Sequence, residues 1–311
     1  MRPAKPSRAL LVLACVVTCS ALPGAAALWH HAGQRALATS LFLLGLSMGP
    51  CLGAYAVVPR ARKQAARRVT LFAGGLSLVA FSVLGATNLD LEGFFMLLFM
   101  GTMGAAVGHT LVTAVLGPVF FGRFLCGWGC WRSMVLELLP IGRSPGRLGG
   151  RWNSLPLAGL TASASCAALF VFLSHYHPGG APGRLRASSL APIAASFAIY
   201  YVASIGLAFA LKDQRAFCKY LCPNSVILGI TSRLSLLKMT SDRQLCNNCG
   251  ACSRICPMDI DVAGFAIAGG RDKSGQCILC QRCAHACPTG ALRLSAGFDT
   301  AGRTPLVRRA S

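Results

Sequence analysis

Eight cysteines in two identical runs carry the chemistry that spacing comes closest to dictating. The first run is Cys246-x2-Cys249-x2-Cys252-x3-Cys256-Pro257, and the second is Cys277-x2-Cys280-x2-Cys283-x3-Cys287-Pro288. Three thiolates so closely spaced wrap one corner of a [4Fe-4S] cube, because the turns they impose bring their sulfurs onto three irons while a fourth ligand arrives from elsewhere. In two-cluster ferredoxins the fourth cysteine of each run ligates the other cluster. The expected sets are therefore Cys246, Cys249, Cys252 and Cys287 for one cluster, and Cys277, Cys280, Cys283 and Cys256 for the other. Zinc is the competing reading of paired C-x2-C motifs. A zinc site, however, is complete with four ligands and has no use for an eight-cysteine register with both Cys-Pro endings.

Two further pairs share a C-x3-C spacing. Cys126 and Cys130 stand in Gly122-Arg123-Phe124-Leu125-Cys126-Gly127-Trp128-Gly129-Cys130, and Cys218 and Cys222 in Phe217-Cys218-Lys219-Tyr220-Leu221-Cys222-Pro223. On a helix, positions i and i+4 share a face, so each pair would aim two thiols in one direction. Converging at one surface, the pairs would supply four soft ligands for a third metal centre, or two redox-active dithiols. The plainer alternative is four unremarkable interfacial cysteines, against which the shared spacing and shared side argue. Cys15, Cys19, Cys51 and Cys166 fall in apolar runs and read as small buried hydrophobes.

These thiols must be positioned by an oily scaffold. Of 311 residues, 54% are hydrophobic and 13% charged, with a mean hydropathy of +0.57. A soluble domain carries about a quarter charged residues, so the chain belongs in a membrane. Six stretches are long and apolar enough to cross, at about 9–29, 37–58, 69–89, 93–120, 155–177 and 190–211. Alternating the connecting segments between the two sides gathers 27 of the 30 basic residues on one side, leaving Arg35, Arg184 and Arg186 on the other with Asp90 and Glu92. By the positive-inside rule both termini are expected in the cytoplasm, in a multi-pass protein of the cytoplasmic (inner) membrane. The net charge of +21 then records orientation, not nucleic-acid binding. Met1–Ala27 also has the basic start, apolar middle and small-residue finish of a cleavable signal; cleavage would leave five spans and the same cytoplasmic C-terminus.

Within the spans only His109 is ionisable, and such residues are functional candidates. His175 and His177 lie at the outer end of their span, too far from the depth of His109 for a bis-histidine haem, and a histidine bonded to a neighbouring helix is the bland reading. No ladder of buried carboxylates is evident, which argues against a pump or ion-coupled transporter. Met96, Met100 and Met103 recur on one helical face, with Met48 and Cys51 on another span, as a soft path for Cu(I) would require. Such side chains also simply fill gaps.

Taken together, the multi-span part, two C-x3-C pairs and paired cysteine runs resemble the polyferredoxin-like membrane proteins, from about residue 90 to 297. That group includes the quinol-dehydrogenase membrane component of periplasmic nitrate reductase, the nitrous-oxide respiration regulator and the methylamine-utilisation ferredoxin-type protein. Cys222-Pro223 matches the family pattern, whereas Cys130 is followed by Trp131. The expected fold is an all-α membrane bundle of about six transmembrane helices over 1–223, an amphipathic linker over 224–239, a small α+β two-cluster ferredoxin-like domain over 240–297 and a basic tail over 298–311. The resemblance implies an iron-sulfur electron carrier or oxidoreductase component, relaying electrons between cytoplasmic-side clusters and a membrane or extracytoplasmic redox partner protein, with the quinol pool as one candidate. The alternative is a copper reductase or assembly factor for a respiratory enzyme, with Cys126, Cys130, Cys218 and Cys222 as its metal site.

Overall fold

The computed structural model describes residues 35–84, 88–101, 105–142, 144–176 and 190–297. The first expected span, its signal-like reading, Cys15, Cys19 and the basic tail lie outside the described residues. Helix α1 (Arg35–Val57) packs along α2 (Lys63–Leu84), and Ser77 donates to Ser47 between them at 3.0 Å. Farther along, α8 (Leu155–Tyr176) and α9 (Leu190–Ala210) are uninterrupted apolar helices. Their outward side chains, among them Leu169, Phe172, Ile199 and Val202, are exposed, as a lipid-facing surface requires. Among the described residues three helices are long and apolar enough to cross a membrane, over Arg60–Val83, Leu155–Leu173 and Ile193–Ala210.

The stretch 93–120 is not the single span its composition suggests. Helix α3 (Leu91–Phe99) ends in a turn at Met100, where Gly101 takes φ +66°. The chain resumes in α4 (Ala105–Thr110), a π-helical turn over Leu111–Leu116 and α5 (Gly117–Phe121). Gly122, at φ +56°, then turns it into two short helices, α6 (Phe124–Trp128) and α7 (Trp131–Leu136). Val107–Phe121 and Phe124–Leu136 meet at 94°, and count as a fourth span only if the bent pair is one. Hydropathy cannot register such breaks, because an apolar run is equally oily whether straight or bent.

After α9 come α10 (Ala216–Tyr220) and α11 (Asn224–Thr231). Strand β1 (Leu237–Ser241) pairs antiparallel with β2 (Leu292–Ala296), from Leu237↔Ala296 to Ser241↔Leu292. Helices α12 (Ala251–Arg254), α13 (Val262–Ala268) and α14 (Arg282–Ala286) fill the interval between the strands. Asp261 starts α13 by accepting from the Gly264 amide at 2.9 Å. The expected linker over 224–239 therefore holds α11 and the start of β1. A single buried core joins Met48, Leu52, Tyr55, Phe124 and Trp128 of the apolar helices to Leu237, Met239, Leu279 and Leu292 of the cysteine-bearing unit.

Buried charge fixes this arrangement. The Glu137 carboxylate, after α7, accepts from Arg67 of α2 at 2.9 Å, Arg215 at 2.6 Å and Arg282 of α14 at 2.9 Å. Lys219 of α10 bridges Asp213 at 2.6 Å and Asp259 of the C-terminal unit at 2.5 Å. Burial pushes the Glu137 carboxyl up, but Arg215, Arg67 and Arg282 outweigh it and hold the group at about 2. Its contribution to stability is thus complete above its ordinary value near 4.5 and lost as pH falls through about 2. Glu137→Gln keeps the shape yet strands buried guanidinium groups, which costs about 3–5 kcal/mol. Thermal unfolding in detergent checks this: the variant should melt well below wild type and lose the wild-type stability drop between about pH 4.5 and 2, and an unchanged melting curve contradicts it.

Candidate functional site

The structure groups the eight run cysteines by fours across the two runs. One cavity is lined by Cys246, Cys249, Cys252 and Cys287; the other by Cys256, Cys277, Cys280 and Cys283, with Met258 and Ile278 in its wall. The two halves repeat at a fixed offset. Asn248 (φ 55°) and Gly250 (φ 67°) bend the first loop, and Leu279 (φ 51°) and Gln281 (φ 58°) bend the second at matching positions. A left-handed backbone costs a non-glycine residue roughly 1–2 kcal/mol, so Asn248, Leu279 and Gln281 are held there by the wrap itself. Among the described residues no three of His, Cys, Asp or Glu close on one ion-sized point. Each four-thiol set draws on both runs, which matches the crossed register of a two-cluster ferredoxin and which a self-contained zinc site does not need. Burial pushes the Cys256 thiol up to about 11 and raises Cys277 and Cys283 as well. Loading these thiols must therefore release protons.

The C-x3-C pairs are not simple helical faces. Helix α6 carries Cys126 and ends at Gly129, so that Cys130 is extended at the start of α7; α10 carries Cys218 and ends at Leu221, before Cys222. The four thiols nevertheless gather, each of Cys130, Cys218 and Cys222 lying within electrostatic reach of Cys126. Cys126 and Cys218 also pack on Met258, Ile278 and Cys280 of the second cavity. Three buried arginines stand among them. Arg132 Nη1 approaches Cys222 Sγ at 3.7 Å, Arg215 lies beside Cys218, and Arg123 faces Cys126, Cys218 and Cys222. A sequence signal for two of them exists: Arg123-x2-Cys126-x-Trp128-x-Cys130 repeats as Arg215-x2-Cys218-x-Tyr220-x-Cys222.

The cysteine-bearing loop is seated directly on this region. Trp128 Nε1 donates to the Leu279 carbonyl at 3.1 Å, and its ring stacks on Phe124 with centroids 5.2 Å apart. Tyr55 OH meets His285 Nε2 at 3.0 Å, and Arg60 Nη2 reaches the carbonyls of His285 and Cys287, each at 2.9 Å. Burial, then Arg60 and Lys63, push His285 down to about 4, so the ring is neutral near pH 7.

On the far side of the thiols lies a mostly apolar cavity of about 300 Å³, whose wall includes Cys126, Cys130, Arg132, Asp90, His109 and Asn224. The Asn224 Oδ1 atom is buried there without a partner among the described residues. Asp90 accepts from Arg132 and from Ser196 at 3.0 Å. Glu92 accepts from Ser163 at 2.7 Å and Tyr200 at 2.5 Å, between α8 and α9. Charge counting along the chain puts Asp90 and Arg132 on opposite sides of the bilayer. They touch, so His109 is not alone among ionisable groups inside the apolar part. No methionine of α3 lines this cavity, and Met103 lies outside the described residues.

Comparison with known proteins places a 4Fe-4S dicluster domain over residues 238–288. The chain is 24% identical over 203 residues to YccM of Escherichia coli (strain K12), covering 60% of this chain and 55% of that one. It is 27% identical over 214 residues to the ferredoxin-type protein NapH of Haemophilus influenzae, covering 64% and 70%. With the methylamine utilization ferredoxin-type protein MauN of Methylobacillus flagellatus it shares 29% identity over 166 residues, covering 51% and 58%. The matches thus take in little more than half of YccM and of MauN. No solved structure matches the chain.

A side chain at Gly127 would strike the Ile278 carbonyl, so Gly127→Val should unseat the loop that carries Cys277 to Cys283. Limited proteolysis in detergent should cut the C-terminal unit at least ten times faster in the variant; equal rates contradict the docking.

Proposed function

On the premise that this is a polyferredoxin-like protein with a 4Fe-4S dicluster domain, we propose a membrane-anchored electron carrier that links the pool of membrane quinols to a redox protein at the cytoplasmic face. Iron-sulfur electron transfer is the part that its ferredoxin-type relatives support directly. The observation that carries the finer reading is the contiguity of three spaces. The cavity of the second cysteine run shares Met258, Ile278 and Cys280 with Cys126 and Cys218, and Cys126 and Cys130 wall the apolar cavity beyond.

Cys246, Cys249, Cys252 and Cys287 would hold one [4Fe-4S] cluster and Cys256, Cys277, Cys280 and Cys283 the second. Such clusters pass single electrons, at potentials set by hydrogen bonding and burial. The chain's own residues do the rest. Trp128 and Gly127 press the Cys277–Cys283 loop against the apolar helices, Gln64 fastens it by donating to the Cys280 carbonyl at 3.2 Å, and Arg60 holds the turn that follows through the carbonyls of Ala284, His285 and Cys287. The apolar cavity suits a quinol ring: most of its exposed wall is apolar, Asn224 Oδ1 stands to accept a hydrogen bond from a quinol hydroxyl, and His109 and Asp90 are the groups that would take up the two protons that leave as a quinol gives up two electrons. Support for the cytoplasmic side comes from the sequence expectation alone, in which alternating the connecting segments puts 27 basic residues on that side. Arg67, Arg132 and Arg215 among them are buried in ion pairs, so pairing as well as orientation accounts for part of that count.

Anaerobic purification followed by metal analysis and EPR tests the cluster reading. Dithionite-reduced protein should show cubane signals, and Cys287→Ser should abolish the centre of the first run while Cys256→Ser abolishes that of the second. Zinc in place of iron, or no signal at all, contradicts it. For the quinol reading, a reduced short-chain quinol should reduce the centres in wild type, and His109→Leu should slow that step at least tenfold while dithionite reduction stays intact. Equal rates would remove His109 from the site.

A further inference from the structure

We infer that Cys126, Cys130, Cys218 and Cys222 hold a third [4Fe-4S] cluster, beyond the two of the dicluster domain. Four thiols from segments about 90 residues apart meet in the interior, and the three arginines around them are 2%, 4% and 0% exposed at Arg123, Arg132 and Arg215. Each of these leaves its Nε–H buried without a partner among the described residues. Arg132 and Arg215 have carboxylates, Asp90 and Glu137. Arg123 has none among the described residues: its Nη2 donates to the Ser225 carbonyl at 2.5 Å, and its remaining neighbours include these thiols and Arg147. A buried guanidinium without a counter-ion is expensive.

Four protonated thiols offer no such counter-ion, and two disulfides would be equally neutral. A cubane ligated by four thiolates carries a net charge of about −2 when oxidised, and its sulfurs accept hydrogen bonds, which is what the cation and the three orphaned donors lack. A single metal ion fits less well, since no three of these side chains close on one point. The centre would exchange one electron with the cluster at Cys256, Cys277, Cys280 and Cys283, its core passing from 2+ to 1+ as its neighbour is oxidised, with no bond or proton moved. Met258 and Ile278 lie between the two sites.

Iron, inorganic sulfide, copper and zinc should be counted per chain after anaerobic purification, in wild type and in Cys126→Ser/Cys218→Ser. Wild type should hold about twelve irons and twelve sulfides, and the variant about eight of each with both dicluster EPR signals retained. About eight in wild type, with the four cysteines recovered as free thiols or disulfides, overturns the inference and leaves the dicluster reading standing; so does copper or zinc that the variant loses. Should the double variant fail to fold, Arg123→Gln serves. It should keep about twelve irons and lower the reduction potential of one centre only, because a positive charge beside an anionic cluster is gone; unchanged potentials overturn the inference.

Discussion

A single carboxylate, Glu137, gathers guanidinium groups from three separate parts of the chain: Arg67 in α2, Arg215 before α10 and Arg282 in α14. The cost of burying those charges is met only while all stay in place, because removing one partner leaves the others uncompensated. Glu137 therefore sets the distance between the apolar helices, the second thiol pair and the cysteine-bearing unit. Non-directional apolar burial alone would allow that unit to slide or turn on its seat. Lys219 between Asp213 and Asp259 adds a second fastening of the same kind.

Given that clamp, the redox groups fall into sequence. The loop with Leu279 and Gln281 in left-handed conformation presents Ile278 to Gly127, and Trp128 caps the contact through the Leu279 carbonyl. The Cys126 and Cys218 thiols then share a wall with one four-cysteine cavity while Cys126 and Cys130 face the apolar one.

The cysteine runs are the most legible part of the sequence, because their spacing is local; the structure sets left-handed positions at matching places in the two loops, Asn248 with Leu279 and Gly250 with Gln281, and lines each cavity with four of the eight thiols. The C-x3-C thiols gather in the fold, although not as helical faces, since Gly129 and Leu221 end each short helix between its cysteines. Three features were hidden. The break after Met100 looks like unbroken oil, the contact of Asp90 with Arg132 defies a charge count made along the chain, and the buried arginines resemble the ordinary positive flank of a membrane protein.

Iron K-edge X-ray absorption on anaerobically purified protein tests the central claim most directly. The account requires iron surrounded by sulfur with a short iron–iron scattering path, the signature of cubanes held by these cysteines. Iron bound only by nitrogen and oxygen, or sulfur-bound iron with no iron neighbour, would contradict it.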